Sequence, residues 1–238
     1  MIRELNANDF VYMLLAARWT VALSVLAIAG GGIVGLAITL GRLSELKIVR
    51  GLAFAYVQFL QATPVLMQLF LVFFGGSLIG IRLDPWTAAL IAFSLHASAF
   101  LGDIWHGSVL AVPRAQWEGA QSLALPRWRA LRLVIAPQAG LIAIAPTVGF
   151  LVALIKSTSL ASIIGFVELV RAGQFINNAT LKPLLVYGFV ACVFFATCWP
   201  LSKWSQSLEV KLGQGYRRQG RESAAGNGDG RLIQSGSS

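Results

Sequence analysis

The sequence predicts an all-α polytopic membrane protein with five transmembrane helices, and three observations carry that prediction. Of 238 residues, 56% are hydrophobic and only 12% charged, where an ordinary soluble domain is about 25% charged. The charges bracket five long uncharged windows, each able to hold the roughly 20 apolar residues that a bilayer-crossing helix needs. Lysine and arginine then gather between alternate windows. So little charge excludes most soluble enzymes, and the net charge of +9 is a topological pattern rather than a nucleic-acid footprint.

The windows run Trp19 to Leu40, Gly51 to Ile81, Pro85 to Gly102, Leu133 to Ile155 and Pro183 to Ser202. The second, at 31 residues, exceeds one upright span but cannot hold two and a turn, so a single long or tilted helix is expected. The expected spans are about 19–40, 53–79, 85–105, 138–158 and 183–204, with residues 1–18 as an external segment. Gly31 and Gly35 form a small-xxx-small pair that suits close helix packing. Ala27-Ile28-Ala29 imitates a signal-peptide cleavage site, but the apolar run continues to Leu40 and Glu4 and Asp9 dilute an n-region, so an uncut span is expected. Cys192 and Cys198, six apart in the fifth window, fall on different helix faces and serve as packing residues.

Orientation follows from the cations. Arg42, Lys47 and Arg50 lie in the first loop, four arginines (114, 127, 129 and 132) in the third, and six Lys or Arg in the tail, thirteen in all. The opposite set, Arg3, Arg18, Arg82, Arg171 and Lys182, numbers five. Cytoplasmic loops retain positive charge, so the N-terminus is expected outside and the C-terminus in the cytoplasm. From Gly213 to residue 238 the chain is Gly-, Ser- and Arg-rich without apolar periodicity, and a disordered cytoplasmic tail is expected.

The third loop, about 107–137, is polar yet patterned. Pro113 and Pro126 each suit the first turn of a short helix. One helix is expected from Arg114 to Leu123, with Arg114 and Glu118 paired four apart, and a second from Arg127 to Ile135. Pro137 marks the start of the fourth span. An interfacial helix pair anchored by Trp117 and Trp128 is the simplest reading of this geometry.

These residues also resemble a known motif. Glu118-Gly119-Ala120, then Ala124, then Val134-Ile135-Ala136-Pro137 is similar to the EAA motif of importer-type ABC permeases: EAA, three residues, Gly, nine residues, I-x-L-P. It departs at Gly119, Ala124 and Ala136, and a Gly at 124 would ease the turn between the two helices. The segment Leu60 to Phe70, LQATPVLMQLF, resembles the FRGTPLLVQLF segment of polar amino-acid permeases of the His/Glu/Gln/Arg type, with Gln61 and Ala62 replacing Arg and Gly. Lys156 to Gly165 resembles their K-D-T-S-L-A-S-x-I-G run, with Ser157 for Asp. Asp103-Ile104-Trp105-His106-Gly107 stands where E-I-F-R-G is common. The resemblance covers residues 18–212.

It implies a type I importer fold in which Glu118, Gly119, Ala120, Ala124 and Pro137 couple the spans to a separate ATPase dimer. It implies no catalytic residue, metal or cofactor in this chain, ATP and Mg being bound by the ATPase; the sequence holds no Gly-Lys dipeptide and so no phosphate-binding loop. Further implied partners are a second permease, identical or homologous, a periplasmic or lipid-anchored substrate-binding protein, and a polar amino acid or close derivative. Nucleic acid is not among them. The implied location is the bacterial inner membrane.

Polar groups in or beside the spans are candidates for the translocation pathway, because uncompensated polarity in hydrocarbon is costly. They are Gln58, Gln61, Thr63, Pro64, Gln68, His96, Asp103, Lys156, Ser157, Thr158 and Ser159. Pro64 frees a carbonyl that something must satisfy; Gln61, Thr63 and Gln68 either line a pathway or bond between helices. His96 suits neutral packing or a proton-linked role. Residues 157–159 could break the helix and open a half-helix start for a carboxylate beside Lys156, or Lys156 could simply snorkel. The rival function is an ion-gradient-driven secondary transporter or small channel, which would normally carry internal repeats; no convincing repeat is present.

Overall fold

The computed structural model describes the backbone of residues 3–78 and 80–234 and the side chains of residues 3–78 and 80–210. Among the described residues the chain is helical throughout, without a strand: α1 (Ala7–Leu43), α2 (Lys47–Ala62), α3 (Val65–Leu78), α4 (Pro85–Leu110), α5 (Arg114–Ser122), α6 (Arg127–Ala130), α7 (Ala136–Ser157), α8 (Leu169–Thr180) and α9 (Pro183–Gln234). A π-helical turn, Leu131–Ile135, joins α6 to α7, and a 3-10 segment, Thr158–Ile164, follows α7. Four helical stretches are long and apolar enough to cross a membrane, and five if the bent pair α2–α3 counts as one.

The centre of the fold is the α1–α4 contact, and glycine makes it possible. A Cβ on Gly31 would lie 2.5 Å from the Ala97 Cβ and 2.8 Å from the Ser94 carbonyl oxygen, and one on Gly35 would meet the Ser98 carbonyl oxygen at 3.1 Å. Gly102 returns the contact from α4, 3.2 Å from the Gly35 carbonyl oxygen. The Thr39 hydroxyl donates to the Gly35 and Gly102 carbonyls. Leu23, Ala27, Leu69, Ala92, Phe93, Ala97, Leu101 and Leu154 bury the core around it. Small residues let backbones approach, and dispersion at that distance replaces a hydrophobic drive that lipid does not supply.

Four boundaries correct the expected ones. α1 starts at Ala7, not near Trp19, because Asn6 and Asp9 close a capping box that satisfies the first free N–H groups. Its 37 residues span roughly 55 Å, so the first turns stand clear of a bilayer and pack through Met13 and Ala16 on Leu169, Ala172 and Ile176 of α8. The second span is not one helix: α2 and α3 meet at 100°, Thr63 being extended at φ −98°, ψ 127° as a residue before proline prefers. α8 lies where only a loop was expected. α9 (Pro183–Gln234) carries the fifth helix past its expected end at 204, and the side chains of the tail expected from Gly213 lie outside the described residues.

Candidate functional site

The third loop folds as two short helices close to the expected bounds. α5 ends in a left-handed turn: the Leu125 N–H donates to the Ala120 carbonyl, the Ala124 N–H to that of Gln121, and Ala124 sits at φ +53°. This is the Schellman closure, with alanine where glycine is preferred. α5 is anchored from below by Ala120, which is buried, and by Trp117, which packs with Leu43, Val109, Val112, Leu131 and Ile135. Glu118 and Gly119 are exposed. The expected Arg114–Glu118 ion pair is not formed: among the described residues the ion pairs are Arg3–Asp9, Arg42–Asp103 and Arg127–Glu45. Solvation on an open helix face outweighs an exposed pair worth a few tenths of a kcal/mol. The loop therefore presents Glu118 free on a platform held rigidly from its other side.

Pro137 lies in the first turn of α7, where its missing N–H costs least. The expected α-helical run to Ile135 instead widens into the π turn, and the Gln138 amide ties it down by donating to the Val134 carbonyl and to the Gln116 Oε1 on α5. α6, the π turn and the fourth span are thus one continuous helical path, to which α5 is tied through Gln116.

The structure brings Gln61, Thr63, Pro64 and Gln68 together at the α2–α3 break. Gln68 is buried, and its Nε2 donates to the Leu60 carbonyl at 2.7 Å and the Thr63 carbonyl at 2.9 Å. The Thr63 hydroxyl turns back to the Phe59 carbonyl. Gln61 reaches Asp103 of α4 at 3.4 Å, and Asp103 also pairs with Arg42 of α1. That Asp103 joins three helices was not foreseen; its pairing partner is 61 residues away, and no local pattern reveals it.

His96 and Lys156 stand apart from this group. His96 is half-buried, its ring 4.6 Å from that of Phe100, which stacks on Phe150 of α7; its Nδ1 has no hydrogen-bond partner. Lys156 is exposed near the end of α7. The expected helix start after it is corrected: Ser157, Thr158 and Ser159 donate their hydroxyls back to the carbonyls of Ala153, Ile155 and Lys156. Such back-bonding accompanies a direct passage from α into 3-10 geometry, the Thr158 N–H donating to the Leu154 carbonyl, so no new helix start opens beside Lys156. The segment ends at Gly165 (φ +91°).

Beyond it lies a buried carboxyl that the sequence did not flag. Glu168 is 0% exposed, caps α8 by accepting from the Arg171 N–H, and accepts from the Thr20 hydroxyl of α1. Burial pushes its carboxyl up to about 7, against the lowering effect of the Val170 and Arg171 N–H groups and Thr20. An acidic residue before the Leu169, Ala172, Gly173, Ile176 spacing was the available signal for both cap and helix.

An apolar cavity of about 780 Å³ opens between α1, α4 and α7, with Gly32, Leu36, Trp105, Leu131 and Gly140 on its walls. None of the pathway candidates lines it, and its lining offers nothing to a zwitterion.

A broken span beside a platform that presents an EAA-type loop defines a class of protein, the membrane-embedded subunit of an ABC importer. The chain belongs to the family described as binding-protein-dependent transport system inner membrane component, whose model matches residues 11–202. It is 34% identical to the permease protein YckA of Bacillus subtilis over 208 residues, covering 87% of this chain and 92% of that one. It is 35% identical to the L-cystine transport system permease protein TcyB of the same organism, covering 82% and 83%, and 30% identical to the glutamine transport system permease protein GlnP of Escherichia coli, covering 82% and 90%. A crystal structure of an amino acid ABC transporter with histidines matches with a TM-score of 0.81 at 27% identity, covering 88% of this chain and all of that one. The MetNI methionine ABC transporter, at 15% identity and a TM-score of 0.72 over 87% of this chain and 99% of that one, shares the fold. The chain is a multi-pass inner-membrane permease subunit of an ABC transporter.

Proposed function

We propose that this chain, with a second permease identical or homologous to it, forms the path by which a polar amino acid or close derivative is imported, ATP being hydrolysed elsewhere. The similarity to the L-cystine permease TcyB, the glutamine permease GlnP and an amino acid ABC transporter solved with histidines supports the substrate class. The observation that carries the mechanism is the platform itself: Glu118 exposed on α5, with Ala120 buried and Trp117 seated against the ends of α1, α4 and α7. An ATPase dimer that binds ATP and Mg docks on that face. Because α6 continues through the π turn into α7 and Gln138 of α7 bonds Gln116 of α5, closure of the ATPase is delivered to a span rather than lost in a loose loop.

Substrate arrives from a periplasmic or lipid-anchored binding protein at the opposite end, where α8 and the first turns of α1 lie. The N-terminus is outside and the C-terminus cytoplasmic, consistent with the cations around the platform. Five crossings enclose no path alone, so the polar group at Gln61 and Thr63, with His96 and Lys156, completes a path against the paired permease.

The experiment is affinity purification of the chain from membranes with and without Glu118→Lys. Wild-type chain brings down an ATPase subunit, and the charge reversal lowers its recovery at least about tenfold, the loss of roughly 1.4 kcal/mol of binding. Wild-type chain without an ATPase, or unaltered recovery with Glu118→Lys, overturns this docking.

A further inference from the structure

We propose that α2 is the rod that carries the platform's displacement to the break in the second span, with Asp103 as the positioning residue against which its far end is held. Both ends of α2 are tethered, and to different things. At its start, Arg127 of α6 donates to Glu45 at 2.9 Å, an exposed pair that orients the approach more than it holds it, two residues before Lys47 opens the helix. Leu43, at the end of α1, packs in the same cluster as Trp117 and Leu131. The first tether therefore belongs to the coupling platform.

The second tether belongs to the α1–α4 core. The Gln61 amide donates to Asp103 Oδ2, whose other oxygen is held by Arg42. The Arg42 side chain is only 12% exposed and its guanidinium lies 5.9 Å from the Phe54 ring centroid of α2. An arginine so fixed holds a carboxylate in one position. Midway, the Tyr56 and Ser98 hydroxyls are 2.6 Å apart, while Leu52 and Phe59 face outward. Helices are stiff along their axes, and two residues past Gln61 the backbone bends by 100° at Thr63–Pro64. A push at Glu45 with Gln61 held by Asp103 therefore changes the bend rather than sliding the whole rod. Coupling of this kind needs a two-state element that both ends bias, and the proposal assigns that part to the break.

The inference rests on the ATPase docking at α5, and the test separates the two. Nitroxide labels on exposed Leu52 of α2 and Leu71 of α3, in a chain whose Cys192 and Cys198 are replaced by serine, report the distance across the break by pulsed electron resonance. The permease–ATPase complex is compared without nucleotide and after trapping with ATP and vanadate. The unmodified network gives a distance shift on trapping. Asp103→Ala loses that shift while the complex is still recovered and still hydrolyses ATP, and Asp103→Glu restores it. Gln61→Ala, which leaves the Arg42–Asp103 pair intact, loses the shift as well and stands in if Asp103→Ala does not assemble. Shifts of wild-type size in both alanine variants overturn the rod, and so does the absence of any shift in the unmodified complex that binds ATPase. Failure to bind ATPase at all overturns the docking instead.

Discussion

The side-chain amide of Gln68 donates at 2.7 Å to the carbonyl of Leu60, the acceptor that Pro64, lacking an N–H, leaves without its helical partner. In hydrocarbon an unmet carbonyl costs several kcal/mol, so the break at Pro64 persists because Gln68, four residues on, is placed to repair it. A second bond to the Thr63 carbonyl closes the other side of the bend.

Gln68→Leu leaves two carbonyls unmet, each worth about 1–3 kcal/mol. The expected outcome is a clear drop in the thermal midpoint of the detergent-purified permease. Pro64→Ala in the same background restores about half of the loss, since its N–H meets the Leu60 carbonyl again but not that of Thr63. A midpoint for Gln68→Leu equal to wild type would show that the amide does no repair.

Ala124 occupies the left-handed region at φ +53°, which costs a non-glycine residue about 1 kcal/mol. Ala124→Gly is expected to raise the stability of the loop by about that amount, read as slower hydrogen exchange at the α5 amides that the Schellman closure protects. Ala124→Val, β-branched, moves the exchange the other way.

Gly31→Leu places side-chain atoms where Ala97 and the Ser94 backbone already are; overpacking of this kind costs typically 1–3 kcal/mol and separates α1 from α4. Gly140→Ala meets nothing within 4 Å and is the control. Folded yield by size-exclusion chromatography falls for the first and not the second.

Glu168 gives the fold a pH dependence of predictable sign. Its carboxyl is raised to about 7 from the ordinary value of 4.5, so the folded state holds the proton more tightly than the unfolded one. The stabilisation is full below about pH 4.5 and is lost as pH rises toward 7, after which it is flat. Glu168→Gln removes this component. The difference in thermal midpoint between wild type and variant, followed from pH 4.5 to 8, declines through that window and then levels; a constant difference refutes the buried-proton account.

Much was legible in the sequence because it is written locally. Uncharged windows place the spans, since burying a charge in lipid is costly wherever the chain goes. The turn at Ala124 and the helices on either side of it follow from Pro113, Pro126 and the motif spacing. The small pair Gly31 and Gly35 announced a close contact, though not with which helix.

What escaped was written across the chain. A single proline is compatible with a kinked or a straight span, and the 100° break was decided by Gln68 returning to the backbone and by Gln61 meeting Asp103 on another helix. Ser157, Thr158 and Ser159 have equal right to break a helix or to back-bond within it, and packing that buries Thr158 chose the latter. Glu168 reads as an ordinary loop acid until Thr20, 148 residues away, removes it from water. The sequence by itself determined the membrane habitat, the crossings and the coupling loop, because hydrophobicity and turn chemistry act over short stretches. Only the tertiary structure decided which polar groups repair the backbone, which brace the helices and which stay free, because a polar group's role depends on the partner that desolvation forces it to find.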